Sequence, residues 1–574
     1  MQPQLRPNNM STPSSFAEYP YTRPEMDELK TDFNQVLSTF STATTLHLAS
    51  SALKDIYQLR NDFQTMYNLA YIRHSSNTKD AFYEAENNFF DEQLPVFEEL
   101  KTRFYRELLA SKWRSALEKE HGEQLFAIAE LSLRTFRPEI IEKLQEENRL
   151  ASSYNKLKAS AQIEFDGETY NLSSIQPREE DPDRAKRAEA TKAKWDWMAS
   201  QQTEMERIFD ELVKIRHQIA LELGFENFIE LGYARMLRTD YNAEDVANYR
   251  EQIRQHIVPL AHKLYQQQAD RLGLKELHYY DESMLFSDGN PQPKGQPAWI
   301  VEQAAGMYAE LSPETKVFFD FMQERELMDL VSRDGKATGG YCTFIPAHKA
   351  PFIFSNFNGT SGDIDVLTHE AGHAFQVYSS RGLAISEYNW PTYEACEIHS
   401  MSMEFFTWPW MENFFEEDVD KYRFGHLSGA IYFLPYGVAV DEFQHFVYAH
   451  PEANPAQRNQ AWREIEKKYL PQRNYNGHPF LEAGGFWQKQ THIFGMPFYY
   501  IDYTLAQICA FQFWIKDRED HTTAWADYVQ LCKAGGSASF LKLVELANLN
   551  SPFAPNCVEQ LAAPVGAWLE EHVL

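Results

Sequence analysis

Two histidines flank a glutamate at His369-Glu370-Ala371-Gly372-His373, the stretch of this sequence richest in chemistry. On a helix, residues four apart stand one turn apart on one face, so both imidazoles can meet a single metal ion. Glu370 then points to the side of that face. There it can take a proton from a water on the metal without being a ligand itself. Neutral imidazole nitrogen suits zinc, and zinc lowers the pKa of a bound water from ~15.7 towards ~7. A carboxylate beside it accepts the proton and returns it to a leaving amine. The bland alternative is two histidines on a polar helix face. Against it stand Ile364, Val366, Leu367, Ala371, Ala374, Phe375 and Val377, which make the helix apolar. A glutamate and two histidines are costly to bury there unless they are paired or bound to metal.

A zinc site of this kind needs a third protein ligand. The metzincin spacing would place a histidine at 379, where this chain has Ser379. The other common choice is a glutamate on a following helix, and residues 392–406, TYEACEIHSMSMEFF, read as one. They offer Glu394, Glu397 and Glu404. Glu397 and Glu404 are two turns apart and share a face, so one can ligate while the other supports a ligand histidine from behind. Glu394 stays a rival to Glu397. His399 lies off that face and reads as structural. A second cluster, HIFGMPFYYIDY over 492–503, holds His492, Tyr499, Tyr500 and Tyr503. Tyr499 and Tyr503 can share a helix face and, with His492, donate to the oxyanion of a tetrahedral intermediate. An aromatic stripe packed in a core is the competing reading.

The elements that must position these groups are mainly α-helical. Residues 1–22 are rich in Pro, Ser and Asn and read as a loose tail. From about Glu25 to Ser160 apolar residues recur three and four apart. Alternation around Asp166-Gly167 predicts a hairpin over 161–173. Helix then resumes, with Gly224 as a stop. The Gly- and Pro-rich stretch 286–298 marks a loop. It reads equally as a surface loop or as the boundary between an N-terminal lobe over 23–290 and a catalytic lobe over 291–574. Tyr341–Ile345 and Pro351–Phe357 read as two strands just before the motif helix.

Composition narrows the partners. The 574 residues carry a net charge of −29, which argues against nucleic acid and anionic membrane surfaces. An acidic surface is the plain reading, and a field that draws in cationic peptides is the sharper one. Five scattered cysteines with no CxxC pair form no disulfide framework and fit a reducing compartment. With no apolar run long enough to span a bilayer and no secretory signal visible, the expected location is cytoplasmic.

Thr-His-Glu-Ala-Gly-His at 368–373, with Glu397 24 residues beyond His373 and Glu404 seven further on, resembles the zinc oligopeptidase family of thimet oligopeptidase and oligoendopeptidase F. So do IEFDGETYNLSSIQ, RAEATKAKWDW, RHQIALELGFENFIELGYARMLRTDY and the His492–Tyr503 segment. The resemblance is nearest to the bacterial oligoendopeptidase F side. It implies an almost wholly helical, two-lobed fold around a deep channel, with a small β-sheet near the zinc helix. It implies one zinc held by His369, His373 and Glu397, with Glu370 as base and Glu404 supporting a ligand. His492, Tyr499 and Tyr503 match the family's carbonyl-binding positions, although the loop between His492 and Tyr499 departs slightly in length. Gly339–Asn358 matches the part that pairs with substrate backbone as an added strand. The activity implied is cleavage of internal bonds in short oligopeptides. A dipeptidyl carboxypeptidase-like enzyme and a non-catalytic peptide-binding protein are the other readings.

Overall fold

The computed structural model describes residues 15–573. It is 70% helical, with two small sheets. The expected tail lies outside the described residues as far as residue 14. From Phe16 onward that expectation is corrected. Phe16 N donates to Arg325 O at 2.8 Å, and Tyr19 is buried with its ring stacked 3.7 Å from that of His348. Two aromatic rings outweigh the Pro-rich composition and fasten this segment to the body.

Helices occupy 26–159 as the periodicity predicts. Leu46–Ser76 is capped by Thr45, and Ala81–Ala110 is capped by Asp80 and runs through Pro95. Gln202–Leu223 buries Met205, Ile208, Phe209, Leu212, Val213, Ile219 and Ala220, the three-and-four spacing of one apolar face. It ends at Gly224 in the left-handed region. The hairpin forms from β1 (Ile163–Phe165) and β2 (Glu168–Tyr170). Asp166 and Gly167 both have positive φ, 52° and 79°, as a two-residue hairpin turn demands.

The second sheet has three strands, β3 (Met328–Val331), β4 (Tyr341–Ile345) and β5 (Ala350–Phe357), in the order β3-β5-β4. Two of them were read from sequence. The third, β3, pairs parallel to β5 and is too short and irregular to show alternation. The sheet packs against helix α1 (Gly362–Ser380), which carries the His-Glu-x-x-His motif. Helix α2 (Tyr393–Phe406) lies alongside α1, and α3 (Val419–Ala449) and α4 (Tyr500–Glu519) complete the surround.

Two main apolar cores organise the chain. The smaller is drawn from Phe33 to Ala129, with Ile385 and Tyr388 inserted from the connection between α1 and α2. The larger joins residues from 195–264 with residues from 300–569, so its packing has no break at residue 290. The α1–α2 connection is tied to the smaller core by polar groups as well. Arg60 Nη1 lies 2.6 Å from Glu387 Oε1, Tyr105 donates to the same oxygen at 2.6 Å, and Leu125 N donates to the Tyr388 hydroxyl at 2.9 Å. Among the described residues no helix is long and apolar enough to cross a membrane.

Candidate metal centre and active site

The N-terminus of α1 is fixed by Asp363, whose carboxylate accepts from Asn358 N and Gly359 N, both at 2.8 Å. Ile364, Leu367, Ala371, Ala374 and Phe375 bury one side of the helix, which leaves His369, Glu370 and His373 on the other. Helix α2 comes unusually close. A Cβ on Gly372 would lie 2.7 Å from His399 O and from Ser400 Cα, so only glycine permits this crossing. The approach brings Glu397 between the two histidines. Its Oε2 is 3.3 Å from His369 Nε2 and 3.2 Å from His373 Nε2. Ligands about 2.1 Å from a tetrahedral zinc stand about 3.4 Å apart, so the donor set has the dimensions of a zinc site. His369, His373 and Glu397 are the group of His, Cys, Asp or Glu side chains found suited to a metal among the described residues. Burial works against charge on His369, yet Glu397 and Glu404 carry its pKa well above the ordinary imidazole value. A dication would neutralise the same excess of negative charge.

The groups around the donors divide by partner. Glu404 Oε1 is 2.7 Å from His369 Nδ1, and Glu404 Oε2 is 2.7 Å from His426 Nε2. Tyr499 donates a short hydrogen bond to Glu397 Oε1, and Ser400 Oγ donates to Glu397 Oε2 at 2.9 Å. Glu370 is buried, its Oε2 has no hydrogen-bond partner, and burial raises its pKa against the pull of His369 and His373. His492 Nε2 is 3.1 Å from the Tyr503 hydroxyl. The Tyr436 hydroxyl donates to Gln490 Oε1 at 2.9 Å, and Gln490 Nε2 is 2.7 Å from His492 Nδ1. An amide nitrogen only donates, so His492 carries its proton on Nε2. Burial lowers the His492 pKa to about 4, which keeps the ring neutral.

Strand β4 lies at the edge of its sheet, and its start overlooks the motif. A Cβ on Gly340 would sit 3.4 Å from Glu370 Oε1 and 3.2 Å from Val366 Cγ1. Phe344 faces Pro351 on β5, and proline has no N–H to give, so this is a non-hydrogen-bonded pair. The alternation then turns the N–H and C=O of Cys342 and Phe344 to the outer edge. Asn68 Nδ2 takes the Phe344 oxygen at 2.5 Å. The backbone of Cys342 therefore faces outward beside Gly340.

Residues 16–136 match the peptidase M3 N-terminal domain, and residues 178–292 and 315–562 match peptidase family M3. The chain belongs to peptidase family M3. It is similar to PZ peptidase A solved with an inhibitor, at 57% identity and a TM-score of 0.96, over 97% of this chain and 99% of that one. It is also similar to a Bacillus anthracis protein assigned as oligoendopeptidase F, at 55% identity and a TM-score of 0.92, over 98% and 99% of the two chains. An oligoendopeptidase-F from Enterococcus faecium, at 14% identity and a TM-score of 0.63 over 96% and 99%, shares the fold. No curated protein matches the chain.

As an M3 peptidase the chain is a metallo-endopeptidase. The structure brings together His369, Glu370, His373, Glu397 and Glu404, and places His492 among Tyr499, Tyr500 and Tyr503. Of the two rival glutamates, Glu397 stands beside the histidines. Glu394 is turned away, with burial and the Asp502 charge raising its pKa. His399 is fully buried off the metal face, as expected. Tyr499 differs from the expectation that either tyrosine faces an oxyanion, because its hydroxyl is spent on Glu397. Sequence reading missed His426, Trp408 and Gln490. His426 lies 22 residues past Glu404 on α3, at a spacing that carries no signal. Gln490, two residues before His492, had adjacency to recommend it. A cavity of about 460 Å³ opens beside Glu404, with Met401, Tyr422, His426, Phe433 and Gln507 in its wall.

Proposed function

We propose that this peptidase cuts internal bonds of short oligopeptides with one zinc ion held by His369 Nε2, His373 Nε2 and Glu397 Oε2. The single observation that carries the ligand assignment is that Glu397 Oε2 stands 3.2–3.3 Å from both imidazole nitrogens, with all three donors within 4.8 Å of one another, as one zinc ion requires. Zinc so held supplies Lewis acidity to the attacking water and the scissile carbonyl. Glu370 takes the water's proton and delivers it to the leaving nitrogen. Its burial raises its proton affinity and suits it to hold that proton between the two steps. The Tyr503 hydroxyl, which accepts from His492 Nε2–H, donates to the carbonyl oxygen as it gains charge. Tyr499 holds Glu397 so that Oε2 faces the histidines. The outward backbone of Cys342, with Gly340 beside it, pairs with the substrate as an added strand. The names of the relatives, PZ peptidase A and oligoendopeptidase F, support this substrate class. Five free cysteines fit a reducing cytoplasm.

The test uses a quenched fluorescent peptide of about ten residues, blocked at both ends. Chelator-sensitive cutting is expected, with an intact folded protein spared. A blocked C-terminus should not prevent cutting, whereas a dipeptidyl carboxypeptidase would require it free. Glu370→Gln should lower kcat by about 10²–10⁴ with zinc still bound. Wild-type turnover in that variant would refute the role of Glu370.

A further inference from the structure

Behind His369 runs a chain of hydrogen bonds whose polarity is set by chemistry. Trp408 Nε1 lies 3.2 Å from His426 Nδ1, and an indole N–H can only donate. His426 Nδ1 must therefore hold a lone pair. A neutral His426 then carries its proton on Nε2, which faces Glu404 Oε2 at 2.7 Å. A carboxylate only accepts, so the other end of Glu404, 2.7 Å from His369 Nδ1, accepts a hydrogen bond from the Nδ1–H of that ring. A neutral His369, the form that binds metal, is then left with its Nε2 lone pair directed at the space beside Glu397 Oε2. Were His426 turned to its other tautomer, one N–H would face the indole N–H and a lone pair would face the carboxylate. Both ends would repel.

The packing keeps this polarity in place. Trp408 is buried, with ring centroids 5.3 Å from Phe405, 5.5 Å from Trp568 and 6.0 Å from Trp514. Tyr422 stacks on His426 at 5.7 Å and 27°, and its hydroxyl donates to Asp365 Oδ1 at 2.7 Å. The charged and titratable groups around His426 are thus Glu404, Asp365 and Tyr422. Glu404 and His426 also line the cavity beside the site. Without His426, Glu404 has room to swing from His369.

We propose that His426, oriented by Trp408, is a positioning residue of the metal site: it anchors Glu404 and so fixes the His369 tautomer that offers Nε2 to zinc. The proposal rests on the reading of His369, His373 and Glu397 as zinc ligands. His426→Phe keeps the aromatic packing and removes both hydrogen bonds. His426→Gln restores them, because its amide can accept from Trp408 and donate to Glu404. Trp408→Phe keeps the packing and removes the orienting donor.

Zinc affinity of the full chain is measured by competition with a chelator, beside the thermal transition of the metal-free protein. His426→Phe should weaken zinc about tenfold, His426→Gln should stay within about threefold of wild type, and Trp408→Phe should fall between them. The metal-free transitions should stay close to that of wild type. Added to His426→Phe, Trp408→Phe should cost little more, since both break one chain. Wild-type zinc affinity in His426→Phe, or equal losses in His426→Phe and His426→Gln, overturns the proposal. His373→Ala is the control for the reading beneath it. If that variant keeps zinc as tightly as wild type, the ligand assignment fails and the proposal with it. If it loses zinc while His426→Phe does not, the proposal alone fails.

Discussion

Tyr499 and Tyr503 are one helical turn apart, with ring centroids 4.9 Å apart, and the structure gives them different partners. Tyr499 is bonded to Glu397, and Tyr503 to His492. Removing the Tyr503 hydroxyl should therefore cost turnover, and removing the Tyr499 hydroxyl should cost metal. Tyr503→Phe is expected to lower kcat by about 10²–10³, the effect of losing one oxyanion donor, with zinc affinity unchanged. Tyr499→Phe is expected to weaken zinc by about tenfold. Equal zinc loss in both would contradict the division. His492 adds a pH test. Its folded pKa of about 4 lies below the ordinary 6.5, so it stays neutral across the range where peptidases are assayed. His492→Gln should lower kcat and leave the shape of the pH profile between about 5 and 8 unaltered. A depressed pKa also means that stability present above about 6.5 is lost as pH falls towards 4. Tm should accordingly decline less steeply over that window in His492→Gln than in wild type. The spacing at 369–373 was enough to pair the two histidines with Glu370, because helix geometry converts spacing into a shared face, whereas the choice of Glu397 over Glu394 came from the family resemblance. His426 escaped because its contact with Glu404 joins two helices whose relative placement no local pattern encodes.

The crossing of α1 and α2 is the element-scale event that makes the site. Gly372 is the residue that allows it, since a Cβ there would meet backbone atoms that cannot rotate away. Gly372→Ala should push α2 outward, lower stability by about 1–3 kcal/mol as overpacking does, and weaken zinc by moving Glu397. Retained zinc affinity and an unchanged melting curve would show that the helices have slack. Edge strand β4 makes a second prediction. Cys342→Pro removes an outward N–H at a sheet edge, where proline is tolerated. The loss of one backbone hydrogen bond should lower kcat/KM by about five- to tenfold with zinc unchanged. The hairpin around Asp166-Gly167 and strands β4 and β5 were legible because turn residues bracket β-prone runs. Strand β3 was not, since four residues paired parallel to a distant partner leave no alternation to read.

At the scale of the molecule, the metal site depends on both cores. The segment joining α1 to α2 plants Ile385 and Tyr388 among the helices of 33–129 and anchors Glu387 on Arg60. Composition could not reveal this, because the contacts are between residues more than 250 apart. The Gly- and Pro-rich loop near 290 stood out, yet the larger core continues on both sides of it. Charge is a property of the whole chain that composition does give: 83 acidic against 54 basic residues. The ammonium of Lys489, 5.4 Å from the Tyr436 ring centroid, does little to offset it. Lys489 Nζ sits 4.2 Å from the Phe486 ring centroid, and burial, with Lys194 and Arg473 beside it, pushes its pKa down to about 7. At pH 8 most of that positive charge is gone, and the acidic excess of the chain is less opposed around the site. Cationic peptides should then be cut with a higher kcat/KM than anionic peptides of the same core, by about tenfold at low salt. The preference should shrink as ionic strength rises past about 0.1 M, where the screening length is about 10 Å. It should also be larger at pH 8 than at pH 6, because Lys489 regains its proton as the pH falls. A salt-independent preference would place the discrimination in close contacts with the peptide and not in the field of the whole chain.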